Sequence, residues 1–210
     1  MSLFTLFEDS RGDEPFTVLT VCTGNICRSP LAESLLRMVL RGLPVHVHSA
    51  GTGALVGEPM SEQNRFIAAE LGVPDADAHR ARQLVPEHVR DSDLVFALSR
   101  EHRRAIVELV PRASRRVFTL REFARLAEAT ELSELTPSPD DRVEQRLRDA
   151  VDLIAAMRGT IPPPADPADE DVIDPYRQPD EVYARSARQL VPGVNSAARL
   201  LWSAAQGRPS

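Results

Sequence analysis

The stretch TVLTVCTGNICRSPLAESLLR, residues 17–37, joins an apolar segment to an amphipathic one through a loop that holds both cysteines of the chain. The β-branched run at 17–22 predicts a buried strand. Residues 29–41 place their apolar side chains on one stripe, which predicts a helix that Ser29 and Pro30 begin. A strand, a tight loop and a helix in this order favour an α/β fold with a parallel sheet.

The remainder of the chain repeats this alternation of strands and helices. Strands are predicted at 45–50, 93–98 and 116–120, and helices at 61–73, at 99–110 and at about 180–204. Pro192 is expected to break or bend the last helix, because proline lacks the backbone donor. The pattern predicts an α/β fold with a doubly wound, four-stranded parallel sheet flanked by helices.

The chain is predicted to form one domain. Its parts are an N-terminal extension at 1–16, the domain at 17–204 and a frayed tail at 205–210. A polar helical insert is expected at about 124–170, with helical patches at 124–135 and 140–158 and a Pro- and Asp-rich surface connection after them. The insert is expected either to shape access to the site or to be a solvated decoration.

Composition narrows the class of function. The formal net charge is −6 and every one of the 25 basic residues is Arg, so the charge does not favour non-specific nucleic-acid binding. No stretch resembles a membrane span, and the N-terminus is acidic rather than that of a basic signal peptide. These features predict a cytoplasmic protein without a membrane partner, in which both thiols stay reduced.

The loop CTGNICR at 22–28 has the features of an anion cradle. Backbone N–H groups at the start of a helix attract anions, and Gly24 and Asn25 tolerate the left-handed backbone that a tight loop requires. Arg28 adds a planar fork that can hold two phosphate oxygens. This environment would hold Cys22 as a thiolate, which is a nucleophile for phosphoryl transfer, and Ser29 can donate a hydrogen bond to that sulfur.

Two other interpretations apply to the same cysteines. The Cys-x4-Cys spacing could be half of a metal site, but two cysteines cannot fill a structural zinc site without histidines, and the five His are scattered. Small buried cysteines without a chemical role are also common. The position after a strand and before a helix favours the nucleophile, and no metal or cofactor is expected.

Four motifs together resemble the low-molecular-weight protein tyrosine phosphatase family of bacterial type. They are VCTGNICRSP at 21–30, SAGTG at 49–53, HRARQL at 79–84 and DPY at 174–176, and the resemblance runs over 17–123 and 172–202. It implies a flavodoxin-like, or phosphotyrosine phosphatase I-like, four-stranded sheet. The loop and the Asp turn would then meet over one pocket.

The resemblance also assigns roles to individual residues. It implies that Cys22 is the nucleophile, that Arg28 clamps the phosphate and that Asp174 is the general acid. It further implies phosphate or substrate binding by Thr23, Gly24, Asn25, Ile26, Cys27, Ser29 and Tyr176, and support of the loop by Asn25, Ser49 and His79. Leu55 stands near the place where the family often has an aromatic pocket wall, and Ser99 is expected to cap a helix.

The function predicted from these residues is hydrolysis of phosphotyrosine in proteins through a phosphocysteine intermediate. The expected partner is a phosphotyrosine protein, with a tyrosine kinase as one candidate. Three alternatives stay open: an arsenate reductase that uses a low-molecular-weight thiol, a protein-arginine phosphatase, and a non-catalytic module that binds phosphoproteins. Ile26, where the arginine-specific branch has Thr, favours tyrosine. Cys27 is expected either to pack under the loop or to trap oxidised Cys22 as a disulfide.

Overall fold

The computed structural model of the chain describes residues 14–74, 76–130 and 142–206. The strands are β1 (Phe16–Cys22), β2 (Val45–Gly51), β3 (Leu94–Ala97) and β4 (Val117–Thr119). The α-helices are α1 (Arg28–Val39), α2 (Glu62–Glu70), α3 (Pro86–Arg90), α4 (Arg100–Leu109), α5 (Leu120–Glu128), α6 (Val143–Met157) and α7 (Asp180–Gln206). Short 3-10 segments lie at Ala76–Ala78, Pro111–Arg116 and Pro167–Glu170.

The four strands form one parallel sheet in the order β2-β1-β3-β4, so the predicted fold class is confirmed. Cys22 at the end of β1 pairs with Gly51 at the end of β2, and Val21 pairs with Ala97 on β3. The chain leaves β1 toward one edge of the sheet and then returns to the other side of β1. The loop after Cys22 therefore lies at the switch point of the strand order, where α/β sheets bind ligands.

The sheet divides the core into two apolar clusters. Phe16 and Val18 on β1 face the larger cluster, which includes buried side chains of α1, α5, α6 and α7. Leu19 and Val21 face the opposite side and pack with residues of α3, α4 and the segment before β4. Successive side chains of β1 point to opposite faces of the sheet because the strand is pleated. Since both faces are covered by helices, β1 is apolar on both.

The segment predicted as a polar insert contributes to the core instead. Phe123 and Leu126 of α5, and Leu147 and Ile154 of α6, have no exposed surface. The expectation of a solvated helical decoration is therefore wrong. It failed because the frequent charged residues hide one apolar stripe on each helix, which a helix needs for packing. The parts of the two predicted patches within 131–141 lie outside the described residues.

Several predicted boundaries are also corrected. Phe16, assigned to the N-terminal extension, is a buried residue of β1. Helix α1 begins at Arg28 with Cys27 as its N-cap, so Ser29 is not the cap. Helix α7 continues through Pro192 without a break and includes Ala205, so that part of the predicted tail is helical. The rest of the extension and residues 207–210 lie outside the described residues.

Within the described part of the chain, no helix combines the length and apolar character needed to cross a bilayer.

Candidate active site

A cavity of about 130 Å³ opens at the carboxyl end of β1. It is lined by Cys22, Thr23, Gly24, Ile26, Cys27, Arg28, Gly53, Leu55, Asp174 and Tyr176. The chain after β1, the loop after β2 and the turn before α7 thus converge on one site. The same cavity brings together Cys22, Arg28 and Asp174, although as many as 152 positions separate them in sequence.

Cys22 lies at the bottom of this cavity and is 2% exposed. Its Sγ atom lies 3.0 Å from the Ser29 Oγ atom, which is the contact that the sequence predicted. Ser29 Oγ also accepts a hydrogen bond from the Asn25 side-chain amide at 2.9 Å, so its own hydrogen can go to the sulfur or to the more distant Ala50 carbonyl at 3.5 Å. Ser29 itself is fully buried and is not part of the cavity lining.

Arg28 connects the loop to the turn that carries Asp174. Its Nη2 atom lies 2.6 Å from Asp174 Oδ2, and its Nη1–H donates to the Val172 carbonyl at 3.1 Å. The Arg28 side chain is 6% exposed whereas that of Asp174 is 51% exposed. The buried Nε–H of Arg28 has no partner among the described residues, which leaves a donor for an oxyanion in the cavity.

The chain immediately before the Asp174 turn is anchored to the end of the sheet and to the start of α4. Asp171 accepts a backbone hydrogen bond from Arg100 at 2.7 Å and forms a two-pronged ion pair with its guanidinium. The Val172 N–H donates to Leu98 at the end of β3, which fixes the chain immediately before the turn. Asp174 Oδ1 accepts the Tyr176 N–H at 3.1 Å, so the carboxylate also shapes its own turn.

Asn25 holds the loop in shape from below. Its φ angle is 54°, a left-handed value that few residues other than Gly tolerate. Its amide donates to Ser49 Oγ at 2.8 Å, and its Oδ1 accepts the Arg82 N–H at 2.8 Å. Asn25 is fully buried, so its side chain supports the loop and does not line the cavity. Gly24 does not adopt a positive φ, contrary to the expectation for this position.

His79 fixes the backbone of the same loop. Its Nε2 lies 2.7 Å from the Asn25 carbonyl, and since a carbonyl only accepts, Nε2 carries the hydrogen. Burial lowers the pKa of His79, although the Asn25 carbonyl and Glu33 raise it in part. The Nδ1 side lies 3.7 Å from the buried Glu33 carboxylate, which also accepts from Ser49 Oγ. His79 and Ser49 therefore both contact Asn25, the loop residue with the positive φ angle.

A model of the low molecular weight phosphotyrosine protein phosphatase family matches residues 17–160. The chain belongs to this family. Membership confirms the predicted family and makes the protein a phosphatase, with hydrolysis of protein phosphotyrosine as the activity that its family carries out. The match spans 124–160, which the motif resemblance had excluded, and it ends before Asp174.

Individual relatives agree with the family assignment. The chain is 41% identical over 110 residues to a protein-arginine-phosphatase of Geobacillus stearothermophilus, covering 52% of this chain and 72% of the relative. It is 42% identical over 107 residues to the probable low molecular weight protein-tyrosine-phosphatase EpsP of Ralstonia solanacearum, covering 51% and 72%. The solved YwlE arginine phosphatase from Geobacillus stearothermophilus superposes with a TM-score of 0.62 at 30% identity, covering 90% of this chain and 94% of that chain.

Three structural features of this phosphatase escaped sequence reasoning. The buried Glu33 orders Ser49 and pairs with Arg37, but a Glu on a helix gives no local signal of burial. Gly51 lies so close to the loop that an added Cβ would be 2.3 Å from the Thr23 carbonyl oxygen. Its place at the end of a predicted strand, beside the loop, could have indicated this close approach. His102 is the third, and its contacts are described below.

The remaining predicted residues lie where the cavity meets its surroundings. Ile26 and Cys27 belong to a small apolar cluster with Ala81 and Tyr183, and Cys27 Sγ lies 3.7 Å from the Ser61 hydroxyl. Burial is the main cause that raises the pKa of Cys27 to about 11. Two residues at the rim of the cavity are more exposed: the exposed fraction is 40% for Leu55 and 39% for Tyr176. The rim therefore offers one aliphatic and one aromatic wall.

Proposed function

We propose that this phosphatase acts on phosphotyrosine through a phosphocysteine intermediate on Cys22. In the first step the Cys22 thiolate attacks phosphorus, so that an S–P bond forms while the bond from phosphorus to the phenolic oxygen breaks. Asp174 donates its proton to the departing oxygen, which leaves as the neutral phenol. The exposed position of Asp174 at the mouth of the cavity supports this role, because the leaving group would depart on that side.

In this proposal Arg28 stabilises the phosphoryl group throughout. Among the described residues its buried Nε–H has no partner, and its Nη2 forms an ion pair with the Asp174 carboxylate, which a bound phosphate would replace. A guanidinium can follow two equatorial oxygens as charge redistributes over them, and a buried site strengthens that interaction. The hydrogen bond from Nη1 to the Val172 carbonyl fixes the orientation of the guanidinium plane.

In the second step Asp174 acts as a general base and the Cys22 sulfur is the leaving group. The Asp174 carboxylate takes a proton from a water molecule, and the water oxygen attacks the phosphocysteine phosphorus. The S–P bond breaks, its electron pair returns to Cys22 as a thiolate, and inorganic phosphate leaves. Ser29, 3.0 Å from the sulfur, donates the hydrogen bond that stabilises the departing thiolate.

One observation carries this proposal: three groups with complementary chemistry, a thiol, a guanidinium and a carboxylate, line one cavity of about 130 Å³. A nucleophile at the bottom, a phosphate ligand beside it and a proton donor at the mouth are what phosphomonoester hydrolysis requires. A module that only binds phosphoproteins needs neither the thiol nor the carboxylate.

The walls of the cavity favour an aromatic substrate. Tyr176 offers a ring that can contact a phenyl group, and Ile26 and Leu55 add aliphatic surface. Phosphoarginine is the competing substrate, because an arginine phosphatase is among the relatives at 41% identity. Ile26 and Leu55 offer its guanidinium group no hydrogen-bond acceptor, so within the cavity lining Asp174 is the acidic side chain that would have to hold it.

The test compares matched peptides that carry phosphotyrosine, phosphoserine or phosphoarginine, with arsenate reduction measured in parallel. Phosphotyrosine is expected to be turned over fastest, and Cys22→Ser is expected to abolish turnover of every substrate while retaining phosphate binding. Ile26→Thr serves as the matched specificity variant and is expected to raise phosphoarginine turnover relative to wild type. Faster wild-type turnover of phosphoarginine than of phosphotyrosine would reverse the substrate assignment.

Phosphoproteins are the substrates that family membership implies. We infer further that the substrate is a protein of the cytoplasm and that a tyrosine kinase is a candidate. Co-precipitation with Cys22→Ser, which is expected to bind phosphotyrosine without turning it over, tests both inferences. Recovery of phosphotyrosine proteins that are not kinases would remove the kinase from the proposal.

A further inference from the structure

A chain of side-chain contacts connects the start of helix α4 to the loop that holds Cys22. The His102 Nδ1 atom lies 2.9 Å from Ser99 Oγ, and its Nε2 atom lies 2.9 Å from Thr23 Oγ1. Ser99 is the N-cap of α4, where its hydroxyl oxygen accepts the His102 backbone N–H at 3.3 Å. Thr23 is the residue directly after Cys22 and lines the cavity.

His102 is held without charge. It is 4% exposed, and burial is the main cause that lowers its pKa to about 4, with the positive charge of Arg28 acting in the same direction. Asp174 and Asp171 raise the pKa of the ring but do not offset these two effects. At neutral pH the imidazole therefore carries one N–H and one unprotonated nitrogen.

The contacts favour the hydrogen on Nε2. Ser99 Oγ already accepts the His102 backbone N–H, so its own hydrogen is best used as a donor to the unprotonated Nδ1. The Nε2–H then donates to Thr23 Oγ1. In the opposite tautomer the hydrogen is on Nδ1, and the Ser99 hydroxyl hydrogen would then have no acceptor among its described contacts. The Thr23 hydroxyl hydrogen would be donated to the unprotonated Nε2 and so would not reach the cavity.

The rest of Thr23 is fixed by its neighbours. Its backbone carbonyl accepts the Gly53 N–H at 3.1 Å, and its γ-methyl carbon would lie 3.9 Å from a Cβ added at Gly53. Because Thr23 Oγ1 accepts the hydrogen bond from His102, its hydroxyl hydrogen is not used in that contact and can still rotate about the Cβ–Oγ1 bond. The hydrogen is therefore available to a group in the cavity.

We propose that His102 is a positioning residue that turns the Thr23 hydroxyl hydrogen toward the oxyanion held above Cys22. This inference rests on the proposed function in its use of the same anion site. Thr23 touches the phosphate, whereas His102 and Ser99 act through it. These contacts add one side-chain donor, the Thr23 hydroxyl, to the backbone donors of the loop. They require a neutral His102 ring, because a doubly protonated imidazole could not accept a hydrogen bond from Ser99.

The test is a double-mutant cycle on the binding of inorganic phosphate, measured by calorimetry with the full chain. Thr23→Val and His102→Leu are each expected to weaken binding by about three- to tenfold, the effect of losing one hydrogen bond to an anion. The double variant is expected to bind no more weakly than either single variant, because both remove the same donor. Thr52→Val, in the neighbouring loop and outside the cavity lining, is the control and is expected to bind phosphate like wild type.

Two further readouts separate positioning from a merely structural role. His102→Gln keeps an amide donor at the place of Nε2 and is expected to restore phosphate binding relative to His102→Leu. The ¹⁵N shifts of the His102 ring are expected to show hydrogen on Nε2 in wild type and in Thr23→Val. Additive losses in the cycle, or hydrogen on Nδ1, would overturn the inference. Turnover by Cys22→Ser would instead overturn the proposed function, and the phosphate cycle would still decide the role of His102.

Discussion

At the scale of single residues, Asp174 allows the sharpest test of the chemistry. Asp174→Asn is expected to slow substrates with basic leaving oxygens by about a hundredfold or more, because general acid catalysis contributes that much when the leaving group needs a proton. Substrates with acidic phenols are expected to lose far less. The measurement is the rate of phosphoenzyme formation over a series of aryl phosphates, and an equal loss across the series would show that Asp174 is not the acid.

Cys27 poses a second question at this scale. Peroxide that enters the cavity would convert a thiolate, the form proposed for Cys22, to a sulfenic acid, and a neighbouring thiol can then form a disulfide with release of water. The attacking species is the thiolate, yet burial raises the pKa of Cys27 to about 11. Trapping by Cys27 should therefore be slow at neutral pH and should speed up about tenfold per pH unit as the thiolate fraction grows.

The experiment measures activity recovered by a thiol reductant after peroxide treatment at pH 7, 8 and 9. Wild type is expected to recover more of its activity at the higher pH, whereas Cys27→Ser is expected to recover little at any pH. Mass spectrometry of the loop peptide reports the disulfide directly. Equal recovery by both proteins across the series would leave Cys27 with packing against Ala81 and Tyr183 as its function.

At the scale of elements, the contact between α7 and α5 depends on Gly193. A Cβ added there would lie 2.7 Å from the Cγ atom of Leu120, a fully buried residue. Gly193→Ala is expected to lower the free energy of unfolding by about 1 kcal/mol, since overpacking typically costs about 1–3 kcal/mol and the gain in helix propensity offsets about 1 of it.

Urea unfolding with a matched variant tests this expectation. Gly159→Ala adds the same methyl group where no atom of the described residues lies within 4 Å, and it is expected to leave the stability unchanged or slightly raised. A loss in Gly159→Ala equal to that in Gly193→Ala would mean that the close approach of the two helices is not the cause.

Some helices and strands could be predicted from the sequence and others could not. The strand–loop–helix at 17–37 was predicted from local pattern, because a β-branched run and a leucine stripe are properties of neighbouring residues. The buried faces of α5 and α6 were missed, since charged side chains on one side of a helix conceal the apolar side. The unbroken course of α7 through Pro192 was missed as well. Packing over the length of that helix outweighs the one backbone donor that proline lacks.

The site was predictable to the extent that it lies in short motifs. Cys22, Arg28 and Ser29 occur within eight consecutive residues, so their proximity follows from one loop. Glu33 and His102 act through contacts that connect separate elements, and no spacing along the chain indicates these contacts. The fold determines them, through the register that places the ends of β1, β2 and β3 side by side.

At the scale of the whole molecule, histidines whose pKa is lowered by the fold connect stability to pH. Burial lowers the pKa of both His48 and His102 to about 4 from a usual value near 6.5. In the unfolded chain both rings would titrate near the usual value, so between pH 6.5 and 4 the unfolded state binds more protons than the folded state. Stability is then full above pH 6.5 and falls as the pH is lowered through that window.

The contribution of His102 can be isolated by comparing wild type with His102→Gln. One unit of pKa difference corresponds to about 1.4 kcal/mol, so between pH 7.5 and 4.5 wild type is expected to lose about 2–3 kcal/mol more than the variant. Carboxylates that titrate in the same range are common to both proteins and cancel in the difference. The free energy of unfolding is measured in urea at both pH values, and the same loss in both proteins would mean that His102 does not stay neutral in the folded state. Because a neutral ring is also what allows His102 to accept from Ser99 while donating to Thr23, such a result would remove the basis of its positioning role as well.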